Sequence, residues 1–266
     1  MNEEIDTIFI PTKEYRRFAE FCEACRKFKY IGLCYGSPGV GKTLSARHYS
    51  QWHFIEDYNK TRWKNKPAFE ARFCRTVFYT APVTSNPRTI EAEVRRLIYE
   101  LKYTVEDSLS KRDAKKLLDA NSLNELMIVD EADRLKLQGL EQLRDHFDRY
   151  SMGLILMGMP GLEKRLARYP QLYSRVGFVH EFKPLSKEEV SFILENRWKD
   201  FGLDFDLNDF TDNEALAAVV RITQGNLRLI HRLLAQAQRI MEINSLKFLS
   251  MEVLETARDS LVIGKD

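Results

Sequence analysis

The chain of 266 residues carries 41 basic and 39 acidic side chains, so its net charge is only +2 and any basic surface must be local. Its hydrophobic content of 44% suffices for a buried core, and the length allows one large domain or two smaller ones. We find neither an apolar run near 18 residues nor the charge order of a signal peptide, so we expect no membrane span and no secretion signal. Four cysteines without a disulfide framework favour a reducing, cytoplasmic setting.

A first helix is predicted over residues 12–28, where apolar side chains recur every three or four positions. Cys22 and Cys25 lie three apart on this helix. A zinc site would need a second pair of ligands, and none is evident, so we interpret both cysteines as packing residues.

The next stretch joins a short apolar run at residues 30–35 to a helical pattern at residues 44–49 through a glycine-rich loop. The loop fits the phosphate-binding pattern G-x-x-x-x-G-K-[ST] in its required strand–loop–helix context. Its members are Gly36, Ser37, Pro38, Gly39, Val40, Gly41, Lys42 and Thr43. The sequence therefore predicts a nucleotide site that binds ATP with Mg²⁺.

Each part of this loop has a chemical task. Glycines let backbone N–H groups close around phosphate oxygens, and the following helix N-terminus adds partial positive charge. We expect Lys42 to reach the β- and γ-phosphates and the Thr43 hydroxyl to hold Mg²⁺.

Residues 52–75 show little periodicity and carry a basic stretch. Between positions 60 and 75, one acidic residue stands against Lys60, Arg62, Lys64, Lys66, Arg72 and Arg75, with aromatic residues interleaved. A solvated insertion would explain this composition, and so would contact with nucleic acid or with a neighbouring subunit.

A strand at 76–80 is followed by predicted helices at 88–103 and at about 110–120. Basic side chains cluster near these helices, where they form either a DNA-binding track or an ordinary solvated face. The cluster consists of Arg88, Lys111, Arg112, Lys115 and Lys116.

The run Leu126–Val129 is apolar and ends in Asp130 and Glu131. This pattern is typical of a buried parallel strand that delivers two acids at its carboxyl end, the Walker B arrangement. Asp130 would hold Mg²⁺, and Glu131 would orient and polarise the water that attacks the γ-phosphate.

Further strands at 153–158 and 178–182 alternate with helices at about 137–147 and 161–169. This alternation predicts an α/β fold with a parallel sheet covered by helices on both faces. From Pro184 onward the pattern is helical only, with capping boxes predicted at Ser186 and Thr211 and N-caps at Asn226 and Ser250. We therefore predict an α/β domain over 1–183 and a small all-helical lid over 184–266.

The phosphate loop, the Asp130–Glu131 strand end and the Gly225-Asn226-Leu227-Arg228 stretch together resemble an AAA+ ATPase. The runs "VDEADRL", "LMGMPGL" and "SRVGFVHEFKPLS" look more particularly like AAA+ regulators of DNA transposition of the MuB, TnsC and TniB kind. ExeA-like secretion ATPases and replication initiators of the Orc kind are related.

The resemblance implies roles for two arginines. Arg175 lies where such proteins carry an arginine finger that acts on ATP of the adjacent subunit. The alternative interpretation is an ordinary surface cation. Arg228 lies at the sensor 2 position that touches the γ-phosphate of its own subunit, or it is a helix-face charge. Met159 stands where a polar sensor 1 residue is usual. Because a thioether hydrogen-bonds poorly, this substitution implies slow hydrolysis.

By the same resemblance the chain would form a ring or helical filament on double-stranded DNA, mark a target and recruit a transposase. Helices around Arg88 and 111–116 would track the DNA backbone. A helicase loader or initiator, and a secretion or signalling ATPase that binds no DNA, are the competing function classes.

Overall fold

The computed structural model describes residues 9–61, 65–110, 112–114, 123–197, 209–246 and 248–261. By its internal contacts the chain divides into two compact units. The first contains residues 17–36 and 42–182, and the second contains residues up to Arg16, Ser37–Gly41 and the chain from Lys183 onward.

The first unit is built on a five-stranded parallel sheet in the order β2-β3-β4-β1-β5. Its strands are β1 (Ile31–Tyr35), β2 (Thr76–Thr80), β3 (Leu126–Asp130), β4 (Gly153–Gly158) and β5 (Val176–Glu181). β3 and β4 are buried along their whole length, as expected for central strands of a sheet with helices on both faces. β5 lies at one end of the sheet and alternates between half-buried and exposed residues. The predicted α/β fold with a parallel sheet is confirmed.

Helices of the first unit follow the predicted alternation with the strands. They are most of α1 (Lys13–Phe28), α2 (Lys42–Ser50), α3 (Trp52–Thr61), α4 (Pro87–Ser108), α5 (Leu137–Tyr150), α6 (Leu162–Leu166) and α7 (Pro170–Tyr173). Cys22 and Cys25 on α1 are fully buried, and burial raises the pKa of Cys25 to about 12, so both thiols act as small packing groups.

Two stretches of the first unit add detail to the sequence analysis. Residues 52–75, which show little periodicity, contain α3, which buries Trp52, Ile55 and Tyr58, and a 3-10 turn at Phe69–Phe73. The helix predicted at 161–169 is present but shorter, Leu162–Leu166, and a further short helix begins at Pro170, a residue favoured at the first helical position.

The second unit is helical, with α8 (Lys187–Arg197), α9 (Phe210–Thr223), α10 (Leu227–Asn244) and α11 (Met251–Asp259). Its core is aliphatic and includes Val190, Leu194, Val219, Leu233 and Leu254. The helical C-terminal part is as predicted.

Helix caps in the second unit follow the sequence with one exception. At α8, the Ser186 N–H donates to the Glu189 carboxylate at 3.1 Å and the Glu189 N–H donates to the Ser186 hydroxyl at 3.3 Å, which is the predicted capping box. At α9 the predicted cap Thr211 is wrong: the Asp209 carboxylate accepts from the Thr211 N–H at 2.7 Å, so the helix begins earlier. Among the described residues no helix is both long and apolar enough to cross a membrane.

Candidate functional site

Lys42 begins α2 in the first unit and is 8% exposed. Its Nζ donates a hydrogen bond of 2.6 Å to the Gly36 carbonyl at the end of β1. Burial lowers the pKa of Lys42, while the nearby carboxylates of Asp130, Glu131 and Asp133 oppose that shift. The ammonium is therefore a desolvated cation in an acidic neighbourhood, placed to gain from an added anion.

Asp130 ends β3 and is 3% exposed. Its Oδ2 accepts a 2.7 Å hydrogen bond from the Thr43 hydroxyl, and its Oδ1 accepts one of 2.9 Å from the Glu131 N–H. Burial raises the pKa of Asp130 although both hydrogen bonds act to lower it. The structure thus brings together Thr43 and Asp130, which are 87 positions apart in the chain and are the two residues predicted from the sequence to hold Mg²⁺.

Glu131 follows with a left-handed backbone, at φ 55° and ψ 35°. A non-glycine residue in this region is strained, and such strain concentrates at functional sites. Its carboxylate is partly exposed and lies 3.6 Å from the Arg134 guanidinium. An exposed ion pair of this length constrains the carboxylate weakly.

Asp133 is a residue that our reading of the sequence missed. Its Oδ1 accepts a 3.2 Å hydrogen bond from the Met159 N–H, and a Cβ on Gly158 would lie only 2.4 Å from the same oxygen. Glycine at 158 therefore lets a carboxylate sit beside the position where the sequence offers only a thioether. The signal was present, since Asp133 is the last acid of the "VDEAD" run.

Arg175 precedes β5, and its side chain is about one-third exposed. Its Nε donates to Asp148 Oδ1 at 2.7 Å, and its Nη1 donates to the Gln171 carbonyl. Asp148 also accepts a 2.7 Å hydrogen bond from Arg144. Asp148, at the end of α5, is a second partner that the sequence did not reveal.

In the second unit, the segment Ser37–Gly41 lies against the start of α10. Gly39 and Gly41 have φ of +82° and +110°, which glycine adopts without the penalty of a side chain. The Arg228 N–H donates a 3.0 Å hydrogen bond to the Gly39 carbonyl, and the Arg228 side chain is exposed. Arg228 is therefore adjacent to the phosphate loop through its backbone.

The protein family of the chain follows from a match to a known domain family. The AAA domain family matches residues 26–166, more than half of the chain. That range contains the phosphate loop, Asp130, Glu131 and Met159. The chain belongs to the AAA domain family. The resemblance to AAA+ ATPases expected from the sequence is confirmed at this level.

Two curated relatives agree with this membership. A "Potential ATP-binding protein" of Staphylococcus aureus is 51% identical over 96% of this chain and 97% of its own length. The "Mu-like prophage FluMu DNA transposition protein B" of Haemophilus influenzae is 25% identical over 84% of this chain and 70% of its own length.

Among solved structures, the ORC2 protein of Aeropyrum pernix in its ADP form superposes with a TM-score of 0.62. The match covers 96% of this chain and 71% of that one, at 17% identity. Identity this low supports the AAA+ fold alone.

Only part of the predicted DNA-binding cluster can be placed on this AAA domain. Arg88 is exposed in the first turn of α4, and Arg112 is exposed in a helical stretch at 112–114. Lys111, Lys115 and Lys116 lie outside the described residues.

The basic segment at 60–75 has a partly structural role in this AAA domain. Arg72 donates to the Ser108 carbonyl at 3.2 Å, and Arg75 donates to the Arg72 and Cys74 carbonyls at 2.8 and 2.7 Å. Arg72 also stacks on the exposed Phe69 ring, 3.6 Å from its centroid. These two arginines hold the 3-10 turn in place, whereas Arg62 and Lys64 lie outside the described residues.

Proposed function

We propose that this AAA domain protein binds ATP with Mg²⁺ and hydrolyses it by in-line attack of water on the γ-phosphate. The observation that carries the proposal is the 2.7 Å hydrogen bond from Thr43 to the buried Asp130, with Lys42 buried in the same acidic neighbourhood. These are the three side chains on which a P-loop NTPase site depends.

Thr43 and Asp130 suit Mg²⁺ in number and kind. Mg²⁺ in nucleotide sites is held by one or two protein oxygens together with phosphates and water, not by a complete protein cage. Among the described residues, no group of three or more His, Cys, Asp or Glu side chains could hold a metal ion. When bound, the metal would neutralise charge that develops on the phosphate oxygens.

The protein side chains divide the remaining work. Lys42 would exchange its bond to the Gly36 carbonyl for phosphate oxygens, and a nearby anion would reverse the effect of burial on its pKa. Glu131, with its carboxylate only loosely held by Arg134, would accept a hydrogen bond from the attacking water and polarise it.

Met159 weakens the orientation of this water, so we propose slow turnover. Asp133 is a carboxylate at the same place, but it already accepts the Met159 N–H. As an acceptor-only group it can hold a water but cannot donate to the γ-phosphate.

We further propose that hydrolysis is completed between subunits. Arg175 would reach ATP held by the adjacent copy, and Arg228 would contact the γ-phosphate of its own. The Arg175–Asp148 ion pair is partly exposed, and pairs of this kind contribute about 1 kcal/mol or less, so it opens at little cost. An arginine supplied in trans contributes on the order of 10³–10⁵ in rate.

The biological role that we propose is regulation of DNA transposition: an ATP-linked homo-oligomer on double-stranded DNA that marks the target and recruits a transposase. Support comes from the 25% identical transposition protein B and from the exposed Arg88 and Arg112. One protomer offers few phosphate contacts, so assembly would multiply them and make DNA binding depend on ATP.

Duplex-DNA binding with and without ATP tests both halves of the proposal. Fluorescence anisotropy of a labelled duplex should show tight binding only with ATP and Mg²⁺, and titration of a fluorescent ATP analogue should give saturable binding. Lys42→Ala should abolish both signals, because the cation at the phosphates is lost.

The possible outcomes separate the function classes. ATP binding without any DNA binding would overturn the transposition role and favour a secretion or signalling ATPase. Unchanged nucleotide affinity in Lys42→Ala would overturn the nucleotide site itself.

A further inference from the structure

One side chain in the second unit joins the start of α10 to the phosphate loop. Asn226 is the N-cap of α10, and its Oδ1 accepts a hydrogen bond of 3.3 Å from the Leu229 N–H. Its Nδ2 donates a second bond, 2.8 Å long, to the Pro38 carbonyl. Beside it, the Arg228 N–H donates to the Gly39 carbonyl at 3.0 Å.

These two carbonyls matter because of how a phosphate loop works. Its N–H groups must converge on the ligand, so its carbonyls have to find donors elsewhere. Two of those carbonyls belong to Pro38 and Gly39. Their donors are the Asn226 side chain and the Arg228 N–H, both at the start of α10. The loop is thus held through two of its carbonyls, which leaves its N–H groups for a ligand.

The packing around Gly39 shows how closely Asn226 and Arg228 approach the phosphate loop. A Cβ on Gly39 would lie 2.5 Å from Asn226 Oδ1 and 3.0 Å from Arg228 Cβ. Together with its φ of +82°, this leaves glycine as the residue that fits. A loop with two left-handed glycines has many alternative conformations when unbound, so an external clamp reduces the entropy lost on binding.

We propose that Asn226 is a positioning residue for nucleotide binding: as the cap of α10 it holds the Pro38–Gly39 carbonyls and preorganises the phosphate loop. The inference rests on the proposed nucleotide site. It assigns Asn226 no contact with the ligand, and the chemistry it serves is the recognition of a nucleoside di- or triphosphate.

Asn226→Ser is the decisive variant. Serine caps helices as well as asparagine does, so α10 keeps its start, but its side chain is too short to cap the helix and also donate to Pro38. Loss of one hydrogen bond should raise the dissociation constants of ATP and ADP about threefold to tenfold. Backbone amides at 39–41 should exchange hydrogen faster in the nucleotide-free protein, while those within α10 keep their protection.

Ser250→Asn is the matched control, because it exchanges the same two cap residues at α11, where Ser250 accepts from the Val253 N–H. It should alter neither nucleotide affinity nor exchange in the loop. If Asn226→Ser lowers the unfolding midpoint, Asn226→Asp is used in its place, because aspartate is an equally strong helix cap but cannot donate to Pro38. For that variant, hydrogen exchange of the amides at 39–41 is measured in the nucleotide-free protein.

The outcomes are distinct from those of the proposed function. If wild type binds no ATP, the nucleotide site is wrong. If wild type binds ATP and the capped variants match it within about twofold, with unchanged exchange at 39–41, Asn226 is only a helix cap and the inference is overturned.

Discussion

At the scale of single residues, the burial of Asp130 disfavours the charged carboxylate that its proposed function needs. It is 3% exposed, and burial raises its pKa despite hydrogen bonds from Thr43 and Glu131. A raised pKa in the folded state means that the fold favours the protonated, neutral carboxyl. The charged form that the proposed Mg²⁺ site requires would therefore lower the stability of the nucleotide-free protein, as is common in active sites.

Asp130→Asn removes that charge while keeping a group of the same shape beside Thr43. At neutral pH we expect the free energy of unfolding of the nucleotide-free protein to increase by about 1 kcal/mol. The added stabilisation by ATP and Mg²⁺ should be lost. Urea denaturation with and without nucleotide measures both.

The pH dependence has a definite sign. The folded pKa lies above the unfolded value of about 3.9, so wild type loses stability as the pH rises through this window and the variant does not. The difference should therefore shrink as the pH falls toward 4. Asp145→Asn, on the partly exposed ion pair with Arg149, is the control and should change little. A variant less stable than wild type at pH 7 would contradict this explanation.

At the scale of elements, Arg175 is held at the junction between α7 and β5 by Asp148 at the end of α5. The observed partners of Arg175 are Asp148 and the Gln171 carbonyl. In the proposed function, this arginine acts on nucleotide that is held by another subunit.

Mixing two inactive variants tests this role. Arg175→Ala and Glu131→Gln should each hydrolyse ATP slowly or not at all. Mixed in equal amounts they should recover part of the wild-type rate, because some interfaces then pair an intact Glu131 with an intact Arg175. Arg144→Ala, which also contacts Asp148 but has no proposed catalytic role, is the control and should retain activity. Co-assembly without recovered activity would show that Arg175 is not a trans finger.

At the scale of the whole molecule, a net charge of +2 cannot by itself attract DNA, so the proposed DNA binding would depend on where the cations lie. Arg88 is in the first turn of α4, where no acidic residue stands and where the helix macrodipole disfavours a cation. Its placement costs stability and therefore suggests a functional reason.

Arg88→Glu should weaken ATP-dependent duplex binding on all sequences alike and reduce the slope of log affinity against log salt by about 1. Stability should rise by about 0.3–1 kcal/mol, because the new carboxylate suits the helix N-terminus. Anisotropy over a salt series and thermal unfolding give the two readings. Lys102→Glu makes the same charge change further along α4 and should leave DNA affinity nearly unchanged. Equal losses in both variants would show that total charge, not this position, matters.

The features that the sequence determined by itself are those encoded in short contiguous patterns of residues. The phosphate loop, the apolar strand ending in Asp130 and Glu131, and the caps at Ser186 and Asn226 all depend on neighbours within a few positions. Their backbone geometry is local, and each requires particular residue types, so the elements and the candidate nucleotide site could be located from the sequence. Alternation of strands and helices likewise fixed the parallel sheet, because parallel strands need crossover helices.

Tertiary structure decided the contacts between residues far apart in the chain. No local pattern announces that Asp133 reaches the Met159 N–H, that Asp148 holds Arg175, or that Asn226 donates to Pro38. Each depends on which elements become neighbours when apolar faces are buried, and a polar side chain then bonds with whatever lies within about 3 Å. The sequence names the groups that can act on a nucleotide, and packing determines which partners hold those groups in place.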